Sequence, residues 1–275
     1  MVAETAVQQS AKVVLIPVAY GEQGVGKAVQ NLLEAALTIE PFDAELCCEP
    51  LAYGVDVMRF FWDEAPFANT EQAVGVVLDR QQFPIVLGGE HPLTVGPVRA
   101  AWKRYPDLAF VQVSAYPHRR EATDGDPYGR HTLVSRLVER GIPVVQVGVR
   151  SLSREEVVRI AAPGQQQIFW DREFVTHSTA QGWDIGDVLA AIPQDRPLYL
   201  SIDLSGLDPA IAVASTHLEP GGLSWYPLMR LLRGVLARQV VACDITELSP
   251  SASDATHQLV ARLLHKLIGY KFSNT

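Results

Sequence analysis

Four short segments carry the residue types that could do chemistry: GGEHP at 88–92, SAYPH at 114–118, SIDLSGLDP at 201–209 and TELSP at 246–250. They supply His91, His118, Asp203, Asp208 and Glu247. Two imidazoles and a carboxylate brought together would make a site for a divalent cation. Taken singly, each such residue is more often a hydrogen-bonded structural group, so the weight rests on convergence. Convergence is predicted because each segment follows an apolar, strand-like run. In a parallel sheet the C-terminal ends of the strands lie on one edge.

The elements that must position these segments follow from periodicity. Strands are predicted at 12–18, 44–48, 83–87, 108–113, 144–149, 167–170, 198–203 and 240–245. Helices are predicted from 29–37, 72–79, 132–140, 153–160, 183–192, 226–238 and 254–268, where apolar residues recur at helical spacing. Gly141 closes one of them, and Ser153 ahead of Glu155 and Glu156 is a predicted N-cap. Strands alternating with helices predict an α/β fold: one domain over 1–275, a three-layer α/β/α arrangement around a mostly parallel sheet.

Composition narrows the function classes. The chain has 275 residues, 48% hydrophobic and 20% charged, as in a soluble globular protein. A net charge of −8 at pH 7 argues against nucleic acid as the main partner. No apolar run is long enough to span a membrane, and residues 1–10 lack a basic, apolar leader, so a cytoplasmic location is expected. The three cysteines, Cys47, Cys48 and Cys243, fit neither a disulfide framework nor a CxxC metal site and are expected to be small buried hydrophobes. The glycines of GEQGVG at 21–26 do not have dinucleotide-binding spacing.

Four patches in order resemble the ureohydrolase family of arginases and agmatinases. LGGEHPLTVG is similar to its GG-x-H-S segment, and FVQVSAYPH stands where the family has a strand ending in D-A-H-x-D. SIDLSGLDPAIAVASTHLEPGGLS resembles S-x-D-x-D-x-x-D-P with its loop into G-G-L-S. DITELSPSASDAT resembles D-x-x-E-x-x-P-x-x-D-x-x-x-T. The resemblance implies an arginase-like fold, hydrolysis of a guanidinium to urea and an amine, two manganese ions, and assembly as trimers or hexamers.

Carried over position by position, the resemblance implies His91 and Asp203 as retained metal ligands. Ser114, Tyr116 and Ser205 stand where ligands are replaced, and His118 stands where an aspartate would be. Glu247 would pair with the substrate guanidinium, with Asp208 as a further substrate-binding residue. In YGRHT, Arg130 takes the place of an assisting histidine, with His131 beside it. One carboxylate among six positions cannot balance four positive charges in a buried site, so no binuclear manganese is expected. The expectation is therefore a catalytically degenerate, non-catalytic or regulatory subunit, in a homo-oligomer or in a hetero-oligomer with an active paralogue.

Two alternatives stand beside it. One is a hydrolase of a guanidine, amidine or amide with a single zinc, nickel, iron or manganese ion on His91, His118 and Asp203. The other is a binding module for a small guanidinium ligand. An arginine among Arg119, Arg120 and Arg130 could itself occupy Glu247 in place of that ligand. A metal-free arrangement of Ser114 or Ser205 with His118 and Asp208 has no G-x-S-x-G elbow to support it.

Overall fold

The computed structural model describes residues 11–60, 65–122, 128–162, 165–174, 182–212 and 218–273. The leader expectation for 1–10 falls outside them, as do residues 123–127 of the loop ahead of Arg130.

Six strands are apolar runs buried along their whole length: β1 (Val13–Val18), β3 (Phe83–Gly88), β4 (Ala109–Val113), β5 (Val144–Val149), β7 (Leu198–Asp203) and β8 (Val240–Thr246). β2 (Val55–Val57) and β6 (Gln166–Trp170) are the more exposed edges. The order is β2-β1-β3-β8-β7-β4-β5-β6, with every pairing parallel. A parallel sheet needs helices over both faces, which is why its central strands read as continuous hydrophobic runs.

Helices α1 (Val25–Ala36), α6 (Ile185–Ala191), α7 (Trp225–Leu236) and α8 (Asp254–Phe272) contribute to the core on one face. Helices α2 (Pro66–Asp79), α3 (Val95–Arg104) and α4 (Leu133–Glu139) contribute to the core on the other. Alternation along β1 divides Val13 and Leu15 from Val14 and Ile16 between the two cores. α5 (Arg154–Ala161) starts at the N-cap predicted at Ser153, which the Glu156 side chain completes as a capping box. The expected three-layer α/β/α architecture is what the chain adopts.

Some local expectations are corrected. Residues 44–48 form a turn with a single antiparallel bridge, Asp43 to Cys48, because the Asp43 carboxylate accepts from the Glu45 and Leu46 N–H groups and bends the chain. Cys47 is accordingly exposed and Cys48 half-buried; Cys243, in β8, is the buried one. Among the described residues no helix is long and apolar enough to cross a membrane.

The strands whose C-terminal ends carry the four segments are β3, β8, β7 and β4, the four adjacent central strands. That adjacency gathers the segments.

Candidate metal centre

GGEH follows β3. At Gly89 a Cβ would lie 2.4 Å from the Tyr20 carbonyl, so only glycine lets the chain pass beneath it. The Gly89 carbonyl accepts the Glu247 N–H, and the His91 N–H donates back to Glu247 Oε1 at 2.8 Å. These bonds lace the ends of β3 and β8 together. Glu247 has φ +64° and His118 φ +50°. Both are left-handed non-glycine residues, and such conformations gather where surrounding structure fixes a functional side chain.

His91, His118 and Asp203 come together in the buried interior, with one candidate ligand atom from each within 4.8 Å of the others. The His91 and His118 rings lie 4.1 Å apart, centre to centre, and His131 stacks on His118 at 5.3 Å. His118 Nδ1–H donates to the Arg130 carbonyl at 2.9 Å. In the neutral ring that bond leaves the Nε2 lone pair facing Ser114 Oγ at 3.1 Å and Asp203 Oδ2 at 3.4 Å. A backbone carbonyl on one ring nitrogen is a common way to fix the tautomer of a metal-binding histidine.

The replaced positions now hold Asp203. The Ser114 hydroxyl donates to Asp203 Oδ2 at 2.7 Å, and the Ser205 N–H donates to Oδ1 at 2.8 Å. The Tyr116 N–H donates to Ser114 Oγ, and the Tyr116 ring packs 5.1 Å from His131. Burial opposes ionisation of Asp203, but the facing His118, the nearby His91 imidazole and the Ser205 N–H bond hold its carboxyl well below the usual range. Burial, then the neighbouring His118, pushes His91 well below the ordinary imidazole value and takes His131 down to about 3. Burial, then the Asp203 charge, raises Glu247 to about 7 against the pull of Arg130.

Among the three arginines proposed to reach Glu247, Arg130 does so, with Nη2 3.2 Å from Oε2. Arg119 turns to the Arg159 carbonyl and Arg120 pairs with Glu156, both on α5. Asp208 closes its own turn by accepting the Ala210 N–H. A Ser–His–Asp relay is not formed at Ser114. His118 presents one nitrogen to both the serine and Asp203, while the other faces a carbonyl.

Two features escaped the sequence reading. Gln166, Gln146 and Gln112 form a row across β6, β5 and β4, half-buried at Gln166 and fully buried at the other two. Gln166 Nε2 donates to Gln146 Oε1 at 2.6 Å, and Gln146 Nε2 to Gln112 Oε1 at 2.6 Å. Gln112 Nε2 then donates to His91 Nε2 at 2.8 Å, so His91 Nδ1–H donates to Thr246 Oγ1 at 3.2 Å. An ion would take one of these two ring nitrogens in exchange for its present partner. The other feature is Arg150, after β5. Its guanidinium donates to the carbonyls of Gly148, Ser205, Leu207, Glu219 and Pro220, clamping the loop beyond Asp203. The repeat of glutamine at matching places in FVQV, VVQV and QQQ was the available sign of the row.

The donor set discriminates between one ion and two. Two imidazoles and one carboxylate suit a single divalent cation. Among the described residues, two divalent cations would meet only Asp203 and the Arg130-paired Glu247, little negative charge for a buried pair.

The chain is similar to N(1)-aminopropylagmatine ureohydrolases. It is 28% identical to that of Synechocystis sp. over 94% of this chain and 89% of the relative. It is 27% identical to that of Thermus thermophilus over 96% and 91%. The crystal structure of agmatine ureohydrolase of Thermoplasma volcanium superposes with a TM-score of 0.82 at 27% identity, covering 96% of this chain and 91% of that one. Proclavaminate amidino hydrolase from Streptomyces clavuligerus shares the fold, with a TM-score of 0.81 at 21% identity.

These findings overturn the expectation of a degenerate, non-catalytic subunit. The relatives carry enzyme names, and the surviving ligand-type residues are assembled rather than scattered. With the Arginase family pattern matching residues 11–269 and the fold superposing throughout, the chain belongs to the arginase family.

Proposed function

We propose that this protein is a hydrolase that cleaves a linear guanidine compound to urea and an amine, with one divalent metal ion held by His91, His118 and Asp203. The observation that carries the reading is the meeting of those three side chains beside Glu247. The substrate class follows from the relatives' names, ureohydrolases of agmatine and its aminopropyl derivative. Water adds to the guanidinium carbon, the bond from that carbon to the alkyl-bearing nitrogen breaks, and this nitrogen leaves as the amine, taking up a proton from the added water.

A zinc, nickel, iron or manganese ion bound here would supply a Lewis acid and lower the pKa of water. The chain's own residues do the rest. Asp203, ionised and held by Ser114 and Ser205, supplies the negative charge at the ion. His118 is oriented by the Arg130 carbonyl. Glu247, fixed by the His91 N–H, binds the guanidinium. His131, kept neutral by burial, is an aromatic wall stacked on His118 rather than a charge. Asp208, next to Leu207 in the loop that Arg150 clamps, shapes the approach of the substrate's tail. A homo-oligomer is the proposed assembly.

The test is metal analysis of the purified protein followed by urea release from agmatine, N(1)-aminopropylagmatine and arginine after loading with each of the four metals. One ion per chain, with turnover lost in His91→Ala, is the expected result. No bound metal and no urea under any loading would refute the proposal.

A further inference from the structure

Glu247 is a buried carboxylate, 7% exposed, at the rim of the metal-ligand cluster. Its Oε1 is satisfied by the His91 N–H, and its Oε2 faces the Arg130 guanidinium. The cleft at this point, lined by Val25, Gly89, Glu247 and Pro250 with Arg130 across it, holds only about 10 Å³. Among the described residues, Arg130 is the one whose guanidinium stands before the acid. Its backbone is independently anchored, since its carbonyl accepts His118 Nδ1–H while its side chain lies a quarter exposed. The side chain can leave Glu247 without disturbing that carbonyl.

The structure displays the ligand that this carboxylate accepts. A guanidinium matches a carboxylate because its planar donors meet the carboxylate oxygens in the same plane. Exchange of one guanidinium for another keeps the buried charge paired throughout. Loss of Arg130 with nothing in its place takes a positive partner from a buried carboxylate close to the Asp203 charge, which is strongly unfavourable.

We propose that Arg130 is a built-in occupant of a guanidinium-binding site on Glu247, and that a small guanidine-bearing ligand enters by displacing it. The inference rests on the proposed guanidine chemistry and adds to it. The resting protein is self-blocked, and ligand affinity is reduced by competition with its own side chain.

The test uses the full-length protein freed of metal with a chelator. It is titrated calorimetrically with guanidinium chloride up to about 50 mM, far below denaturing concentrations. Sodium chloride and methylammonium chloride are the controls. Arg130→Ala is expected to bind guanidinium saturably and at least tenfold more tightly than the wild type, and Arg130→Ala/Glu247→Gln to lose that gain. Arg130→Lys keeps the charge without the planar fork. It stands in if Arg130→Ala does not fold, with the same tenfold gain expected because lysine competes less well. Equal affinity in variant and wild type, or a gain that survives Glu247→Gln, overturns the inference. Zinc titration of the same variants reads the His91–His118–Asp203 site separately, so failure of the metal reading and failure of this one are distinguishable.

Discussion

Replacing Ser114 by aspartate tests the metal centre at its most charge-sensitive point. Ser114 Oγ lies 2.7 Å from Asp203 Oδ2 and 3.1 Å from His118 Nε2, and its side chain is fully buried. In Ser114→Asp a second carboxylate would stand roughly 4 Å from that of Asp203. Two like charges at that separation repel by about 4 kcal/mol at an effective dielectric constant of ~20. The metal-free variant should therefore lose about 4 kcal/mol, or keep its new carboxyl protonated at neutral pH. A divalent ion between the carboxylates turns the repulsion into ligation. The ion's affinity should rise by about three decades, since each decade is roughly 1.4 kcal/mol. Urea denaturation at pH 7.5, followed by tryptophan fluorescence with and without chelator, reads the destabilisation. Competition with a chelating dye for zinc and manganese reads the affinity. A metal-free variant within about 1 kcal/mol of the wild type, or an affinity gain under tenfold, would mean that Ser114 does not face the ion.

Two further predictions concern the sheet that carries the site. Asp244 is fully buried, and burial pushes its carboxyl up to about 6 although Tyr199 and Ser201 donate to it at 2.6 and 2.8 Å. Its folded value lies above its unfolded one, so its contribution to stability is present at about pH 4 and lost as the pH rises through about 6. The loss is on the order of 3 kcal/mol. Asp244→Asn lacks this titration, and the stability difference between variant and wild type should grow by that amount over the window; parallel urea curves would show the assignment to be wrong. At Gly206 a Cβ would meet the Ser114 nitrogen at 2.7 Å and the Val113 carbonyl carbon at 2.9 Å, both backbone atoms. Gly206→Ala should cost about 3 kcal/mol in denaturation and weaken metal binding by displacing Ser114; an unchanged midpoint would contradict that close approach.

Much of this was legible in the sequence because parallel strands buried on both faces leave unbroken apolar runs, as in β1, β5 and β7. His91, Asp203 and Glu247 were legible because each stands at the end of such a run. α3 was missed because Gly96 and Pro97 look like breakers. Pro97 falls in the first turn, where proline is tolerated, and Gly96 lets α3 press against α2, where a Cβ would lie 2.4 Å from the Phe67 carbonyl. Arg150 was missed because its partners are carbonyls, which no side-chain pattern displays. The reading of a degenerate subunit failed for a related reason. Comparing positions one at a time recorded each lost carboxylate, but not that His118 turns its free nitrogen toward Asp203.

The row of glutamines has a consequence for the whole sheet. Each amide has a giving end and a receiving end, so Gln166, Gln146 and Gln112 point the same way, as dominoes leaning in one direction do. To turn one is to turn all of them, and the last in line decides which nitrogen of His91 offers its lone pair. Gln166 lies on the outermost strand, and Gln112 touches the metal-ligand cluster. The tautomer at the centre of the protein is therefore set from outside it, by amides whose direction the Tyr116 and Pro117 carbonyls fix at Gln146.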